Sequence, residues 1–191
     1  MAPARGAQPP DDSRPGEGSG DRRPSEQELA ERYGQKIYNV AYRLTGDADE
    51  AADLAQDVFV RVLRNLHRYQ PGTFDGWLYR ITKNLFLDRV RRRRRLRLEP
   101  LPEGEWRAPV SSEPGPEDVL ERHMLEARVE AALQSLPADF RLAVVLCDVE
   151  NLTYEEVAAA TGWPLGTVRS RIHRGRKRLR AYLEQRAGAA G

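Results

Sequence analysis

One cysteine, three histidines and few aromatic side chains exclude several kinds of chemistry at the outset. Cys147 has no partner for an intramolecular disulfide, and with the scattered histidines it offers no zinc-ligand spacing. It lies in residues 142–147, the longest clearly apolar run, and reads as a buried core thiol. No stretch approaches the roughly 20 apolar residues that span a bilayer. The N-terminus lacks the apolar segment of a secretory signal, so a cytoplasmic protein without membrane insertion is expected. No P-loop is present, so ATP hydrolysis is not expected. Strand-like alternation is missing throughout, leaving an all-α chain.

What is present is charge, and it is segregated. The net charge of +2 averages acidic stretches against very basic ones, so local charge decides the function. Residues 1–24 hold five prolines and four glycines with almost no large apolar side chains, too little to offset ordering entropy. Residues 99–118 hold five prolines, two glycines and six acids against Arg107 alone, the composition of an extended linker. The expected organisation is therefore a disordered extension at 1–24, a helical domain at 25–96, a flexible linker at 97–117, a second helical domain at 118–186, and a short disordered tail at 187–191. Each domain has about 70 residues, enough to fold alone with modest margin.

In the first domain, Leu29, Tyr33, Ile37, Val40, Ala41 and Leu44 share one helix face, and Thr45 with Gly46 ends that helix. Asp47 and Glu50 can cap the next, whose buried stripe is Ala51, Ala55, Val58, Phe59, Val62 and Leu66. Pro71 and Gly72 break the chain again. A third helix from about Asp75 runs into Arg91–95, with Phe74, Leu78, Ile81 and Leu85 facing the core. Tyr79, Lys83, Phe86 and Val90 fall on its other side. Exposed there, they suit single-stranded nucleic acid, with bases on the rings and phosphates on the cations. Packed beneath another helix, they are simply core. Glu50, Asp53 and Asp57 form an acidic stripe on the second helix. Such a stripe can be a solvated face, a docking surface for a basic partner, or part of a divalent-metal site for which no further ligand is nearby.

Residues 152–183 read as a helix–turn–helix. Thr153 and Glu156 form a capping box, and Gly162, Trp163 and Pro164 separate the two helices. On the second, Leu165, Val168, Ile172, Gly175 and Leu179 recur at spacings of three and four and face the core. Ser170, His173, Arg174 and Lys177 point away, flanked by Arg169, Arg171, Arg176 and Arg178. Seven lysines and arginines without one acid suit a polyanion, and this face suits the DNA major groove.

Together these elements resemble the extracytoplasmic-function (ECF) sigma factors of the sigma-70 family. The segment DLAQDVF at 53–59 is similar to the part that docks on polymerase, and WLYRITKN at 77–84 to the promoter-melting helix. Leu136, Pro137 and GTVRSRIHRGR at 166–176 are similar to the −35-reading region. The resemblance implies an all-α fold of two small helical domains, no catalytic residues, no metal and no cofactor. It assigns core-polymerase binding to Asp53, Gln56 and Asp57. Binding of −10 DNA falls to Trp77, Tyr79, Arg80, Lys83 and Asn84, with the loop around Tyr69 and Gly76 as a pocket for a flipped base. Binding of −35 DNA falls to Arg169, Ser170, Arg171, His173, Arg174 and Lys177. The implied partners are the clamp and flap of core RNA polymerase, promoter DNA and an anti-sigma factor. The competing readings are a helix–turn–helix repressor or response-regulator output protein that binds duplex DNA unaided, and a metal-dependent nuclease built on Glu50, Asp53 and Asp57.

Overall fold

The computed structural model describes residues 25–69, 74–98 and 117–187, and no strand occurs among them. The N-terminal extension, most of the linker with Trp106, the break at Pro71 and Gly72, and the last four residues of the tail lie outside the described residues.

Helix α1 (Glu26–Thr45) begins at a capping box in which the Ser25 hydroxyl accepts from the Glu28 N–H and the Glu28 carboxylate accepts from the Ser25 N–H. Its buried residues are the six expected, Leu29 through Leu44. Gly46, at φ 74°, closes it in the left-handed conformation that a side chain disfavours. Asp47 caps α2 (Ala48–Asn65) by accepting from the Glu50 N–H at 2.9 Å. Leu54 joins the buried stripe of α2 and Phe59 is only half-buried, because α2 packs against both α1 and α3. A short 3₁₀ turn (Leu66–Arg68) follows, and α3 (Phe74–Leu98) completes the first body.

The second body comprises α4 (Glu117–Gln134), α5 (Ala138–Val144) starting at Pro137, α6 (Tyr154–Thr161) and α7 (Leu165–Ala187). The α5 helix continues into a π-helical turn (Val145–Val149), and Asn151 adopts a φ of 57° before α6. Thr153 and Glu156 form the expected capping box, and Gly162 ends α6 at φ 71°. Along α7, Val168 and Ile172 are fully buried, each contributing about 1.5–3 kcal/mol of apolar burial. Cys147 is half-buried instead of lying deep in the core. Its sulfur accepts from Arg176 at 3.6 Å, and burial raises its thiol pKa. The run around it sits in the π turn, which rolls this one position toward the edge.

The two bodies share a seam in which α1 meets α4 and α5 while α3 meets α5 and α6. That seam corrects the expected orientation of α3. Tyr79 and Phe86, candidates for an exposed stacking face, are 2% and 4% exposed, whereas Ile81 and Leu85 on the expected core side are only half-buried. Helix α3 is covered on two sides, by its own bundle and by the second body.

Gly175 sets the approach of α7 to α5. A Cβ there would lie 2.6 Å from Val144 Cγ2 and 3.4 Å from the Phe140 carbonyl. Val144 is buried and β-branched, so it cannot swing aside. Gly175→Ala is expected to lower stability by about 1–3 kcal/mol, measured as a lower urea midpoint with an unchanged denaturant slope.

Candidate nucleic-acid interface

Three groups of side chains matter, one on each of α7, α3 and α2. On α7, Arg169, Ser170, His173, Arg174 and Lys177 are exposed along one face. The Ser170 hydroxyl donates to the Thr167 carbonyl at 2.9 Å and is otherwise open. Three other cations of α7, Arg171, Arg176 and Arg178, make contacts within the protein. The Arg171 guanidinium stacks 3.8 Å from the centre of the Trp163 ring and donates to Asp139 at 2.9 Å. Arg176 pairs with Asp148 and donates to the Tyr154 hydroxyl, and its hydrogen bonding to Asp148 pushes its pKa up. Arg178 lies over the Phe140 ring. Arg171 thus differs from its expected neighbours: it ties the start of α7 to α5 and to the turn after α6.

On α3, Arg80 and Asn84 are exposed, Trp77 and Lys83 are half-buried, and Tyr79 is buried. Trp77 belongs to an aromatic cluster with Tyr69 and Phe74, ring centres 5.4 to 5.6 Å apart, and Tyr33 packs on Phe74 at 4.8 Å. Three of the other four expected −10 residues are held by the second body. The Tyr79 hydroxyl donates to Glu150 at 2.5 Å, Arg80 donates to the Ala159 carbonyl at 2.9 Å, and Lys83 donates to the Thr161 carbonyl at 2.9 Å. Burial, followed by the bond to Glu150, drives the Tyr79 phenol pKa upward. Burial and then the charges of Arg91 and Arg80 lower that of Lys83. Ala159 and Thr161 belong to the last turn of α6, where carbonyls lack intrahelical donors and carry partial negative charge.

The far end of the seam repeats this with roles exchanged. Gln134 donates to the Arg43 carbonyl at 3.0 Å and Arg141 to the Leu44 carbonyl at 2.5 Å, capping the C-terminus of α1. Arg141 also bonds the side chain of Gln134 and the carbonyls of Gln134 and Leu136, and burial lowers its pKa to about 10. Arg43 pairs with Glu130 at 2.9 Å.

On α2, Asp53, Gln56 and Asp57 are exposed as expected for a docking face. Asp57 pairs with Arg89 and Glu50 with Arg93, so the arginine-rich end of α3 folds back on the acidic stripe. Among the described residues no group of three or more His, Cys, Asp or Glu is arranged to hold a metal ion. Sequence reasoning missed Val60 and Leu63, which are 40% and 38% exposed. They follow Gln56 at helical spacing and extend the acidic face with an apolar patch; the signal was available as two apolar residues outside the buried stripe. It also missed Asp139, Glu150 and Trp163, whose roles arise from contacts across the fold and leave no local signature.

A capped helix–turn–helix with an exposed, acid-free basic face, beside a second helical body bearing an acidic helix, defines a DNA-binding protein of the helix–turn–helix class. Residues 29–96 match the family Sigma-70 region 2, and residues 126–179 match Sigma-70, region 4. The chain is 56% identical over 160 residues to the ECF RNA polymerase sigma factor SigE of Mycolicibacterium smegmatis, covering 84% of this chain and 62% of that one. It is 38% identical over 144 residues to the ECF RNA polymerase sigma factor EcfG of Rhodopseudomonas palustris, covering 75% and 76%. Its fold is similar to that of the sigma factor RpoE solved with the anti-sigma factor NepR from Bartonella quintana. That likeness has a TM-score of 0.65 and 28% identity, over 83% of this chain and 96% of that one. The chain belongs to the ECF sigma factors of the sigma-70 family.

Glu130 supplies a pH test of the seam. Burial raises its carboxyl above the ordinary 4.5, against the pull of Arg43 and Arg141. Its protonation contributes stability that is complete below pH 4.5 and lost as pH rises through the raised folded value. Glu130→Gln removes that contribution. Between pH 4.5 and about 7, the wild type is expected to lose stability relative to the variant, read from urea midpoints at both ends.

Proposed function

We propose that this chain is an alternative sigma factor that binds core RNA polymerase and directs it to promoters without catalytic activity of its own, acting in the cytoplasm. The polymerase-binding body is residues 25–96 and the −35-reading body residues 118–186. Asp53, Gln56 and Asp57 meet the polymerase clamp, and the exposed Val60 and Leu63 favour such an interface because they add apolar area beside steering charge. The second body meets the flap. Trp77, Tyr79, Arg80, Lys83 and Asn84 serve the −10 element. Melting draws on binding energy, since an unstacked base held on an aromatic ring returns roughly 1–3 kcal/mol. By analogy with the neighbour solved with NepR, an anti-sigma factor is the expected antagonist.

The observation that carries this reading is the division of cations on α7. Arg171, Arg176 and Arg178 engage the protein, while Arg169, Arg174 and Lys177 have no ion pair among the described residues. Leaving these three unpaired around Ser170 and His173 suits base edges and phosphates. Arg171 is then a strut that sets the angle of the recognition helix. The deciding experiment adds the chain to sigma-free core polymerase on genomic DNA and maps run-off start sites. New specific starts are expected. A footprint from the chain alone, with no transcript, would instead make it a repressor.

Two finer outcomes follow from the roles on α7 and α2. Arg174→Ala is expected to weaken −35 sequence discrimination by about 1–3 kcal/mol with core affinity unchanged, and Asp53→Arg with Asp57→Arg to do the reverse. In duplex binding by holoenzyme, Lys177→Gln should reduce the slope of log affinity against log salt by about 1. Arg171→Gln should leave that slope intact, since its guanidinium faces Asp139 and Trp163.

A further inference from the structure

We propose that the cavity between α4 and the end of α7 holds the linker's Trp106, with Glu103 and Glu105 paired to the arginines beside it. This placement goes beyond the promoter-reading roles above and does not depend on them.

Ala127, Arg128 and Ala131 of α4 and Tyr182, Leu183 and Arg186 of α7 line a cavity of about 200 Å³. A dry cavity of about 150 Å³ accepts benzene, so this one has room for the larger indole. Tyr182 and Leu183 are half-buried, whereas Arg128 and Arg186 are exposed. Arg186 lies 5.2 Å from the centre of the Tyr182 ring. Neither arginine has an ion pair among the described residues. An apolar hollow bordered by two unpaired cations suits an aromatic ring with carboxylates close by.

The linker supplies that chemistry. Trp77 and Trp163 are accounted for by their ring and guanidinium contacts, and Trp106 is the remaining tryptophan. Glu103 and Glu105 stand just before it. Indole is the best side-chain ring for a guanidinium, and the two carboxylates complement Arg128 and Arg186.

The tether permits the return. Glu117 begins α4, and Ala127 and Ala131 lie about 15 and 21 Å further along its axis. Trp106 is eleven residues before Glu117, a stretch that reaches about 36 Å when extended. So short a connection makes binding intramolecular and raises the effective concentration of the indole.

Docking there leaves the −35 face open. By helical period, Tyr182, Leu183 and Arg186 lie on the side of α7 opposite Ser170, His173, Arg174 and Lys177. What changes is the tether between the bodies. With Trp106 seated, the free span shortens from residues 99–116 to residues 99–105 at most, so this site sets how far one body can move from the other.

The test uses the full chain grown with 5-fluorotryptophan, whose three fluorine signals are assigned with Trp106→Phe. The Trp106 signal should lie away from its position in urea and be shielded from a soluble gadolinium chelate. Ala131→Arg, at an exposed site, should return that signal to its urea position while the Trp77 and Trp163 signals stay. Arg128→Glu with Arg186→Glu should lower the ratio of docked to free Trp106 by about 5-fold or more. Adding Glu103→Arg and Glu105→Arg to that chain should restore it. A Trp106 signal at its urea position in the unsubstituted chain, or one indifferent to Ala131→Arg, overturns the assignment. So does a signal that turns free on dilution, which would put a second copy's linker in the cavity. Docking lost with Arg128→Glu and Arg186→Glu but not restored by the exchanged charges overturns the pairing with Glu103 and Glu105.

Discussion

Two helices end in the seam, and neither can satisfy its last carbonyls by itself. The C-terminus of α1 is capped by Gln134 and Arg141 from the second body, and that of α6 by Arg80 and Lys83 from the first. A carbonyl buried without a donor costs about 1–3 kcal/mol, so this exchange governs how the bodies meet. It also places Gly46, whose Cβ would lie 2.3 Å from Gln134 and whose φ of 74° already favours glycine. A joint made of helix ends and long cations differs from one made only of apolar side chains. Once water or another polyanion supplies partners, its polar groups can part without being left unsatisfied.

The arginines show the same economy of placement. On α7 they divide by direction: Arg171, Arg176 and Arg178 brace the helix against Asp139, Asp148, Trp163 and Phe140, while Arg169, Arg174 and Lys177 stand clear. On α3, Arg89 and Arg93 return to the acidic stripe of α2, which tempers that stripe without covering Asp53. A helix this basic repels itself, and pairing part of its charge internally allows the remainder to be held ready for an external anion.

Much of the local architecture was legible in the chain. The six buried positions of α1, the stops at Gly46 and Gly162, the capping box of Thr153 and Glu156, and the stripe through Val168, Ile172 and Gly175 were all read correctly. Each depends on groups a few residues apart, where helical period and capping chemistry act directly. The departures share an opposite cause. Tyr79 and Phe86 are buried because another body lies on α3, Arg171 is engaged because Trp163 and Asp139 come within reach, and Cys147 is half-exposed because a π turn rolls it outward.

The chain alone therefore determined that this is a helical protein with one strongly basic helix and one helix carrying an acidic stripe, because periodicity and charge are written within single elements. Only the tertiary structure decided which of those side chains are available. Tyr79 and Glu150 are separated by 71 residues, and a bond between them has no local trace. Whether an aromatic side chain on a helix is a reading surface or a covered one is settled by what packs against it, and that depends on contacts which spacing along one element does not specify.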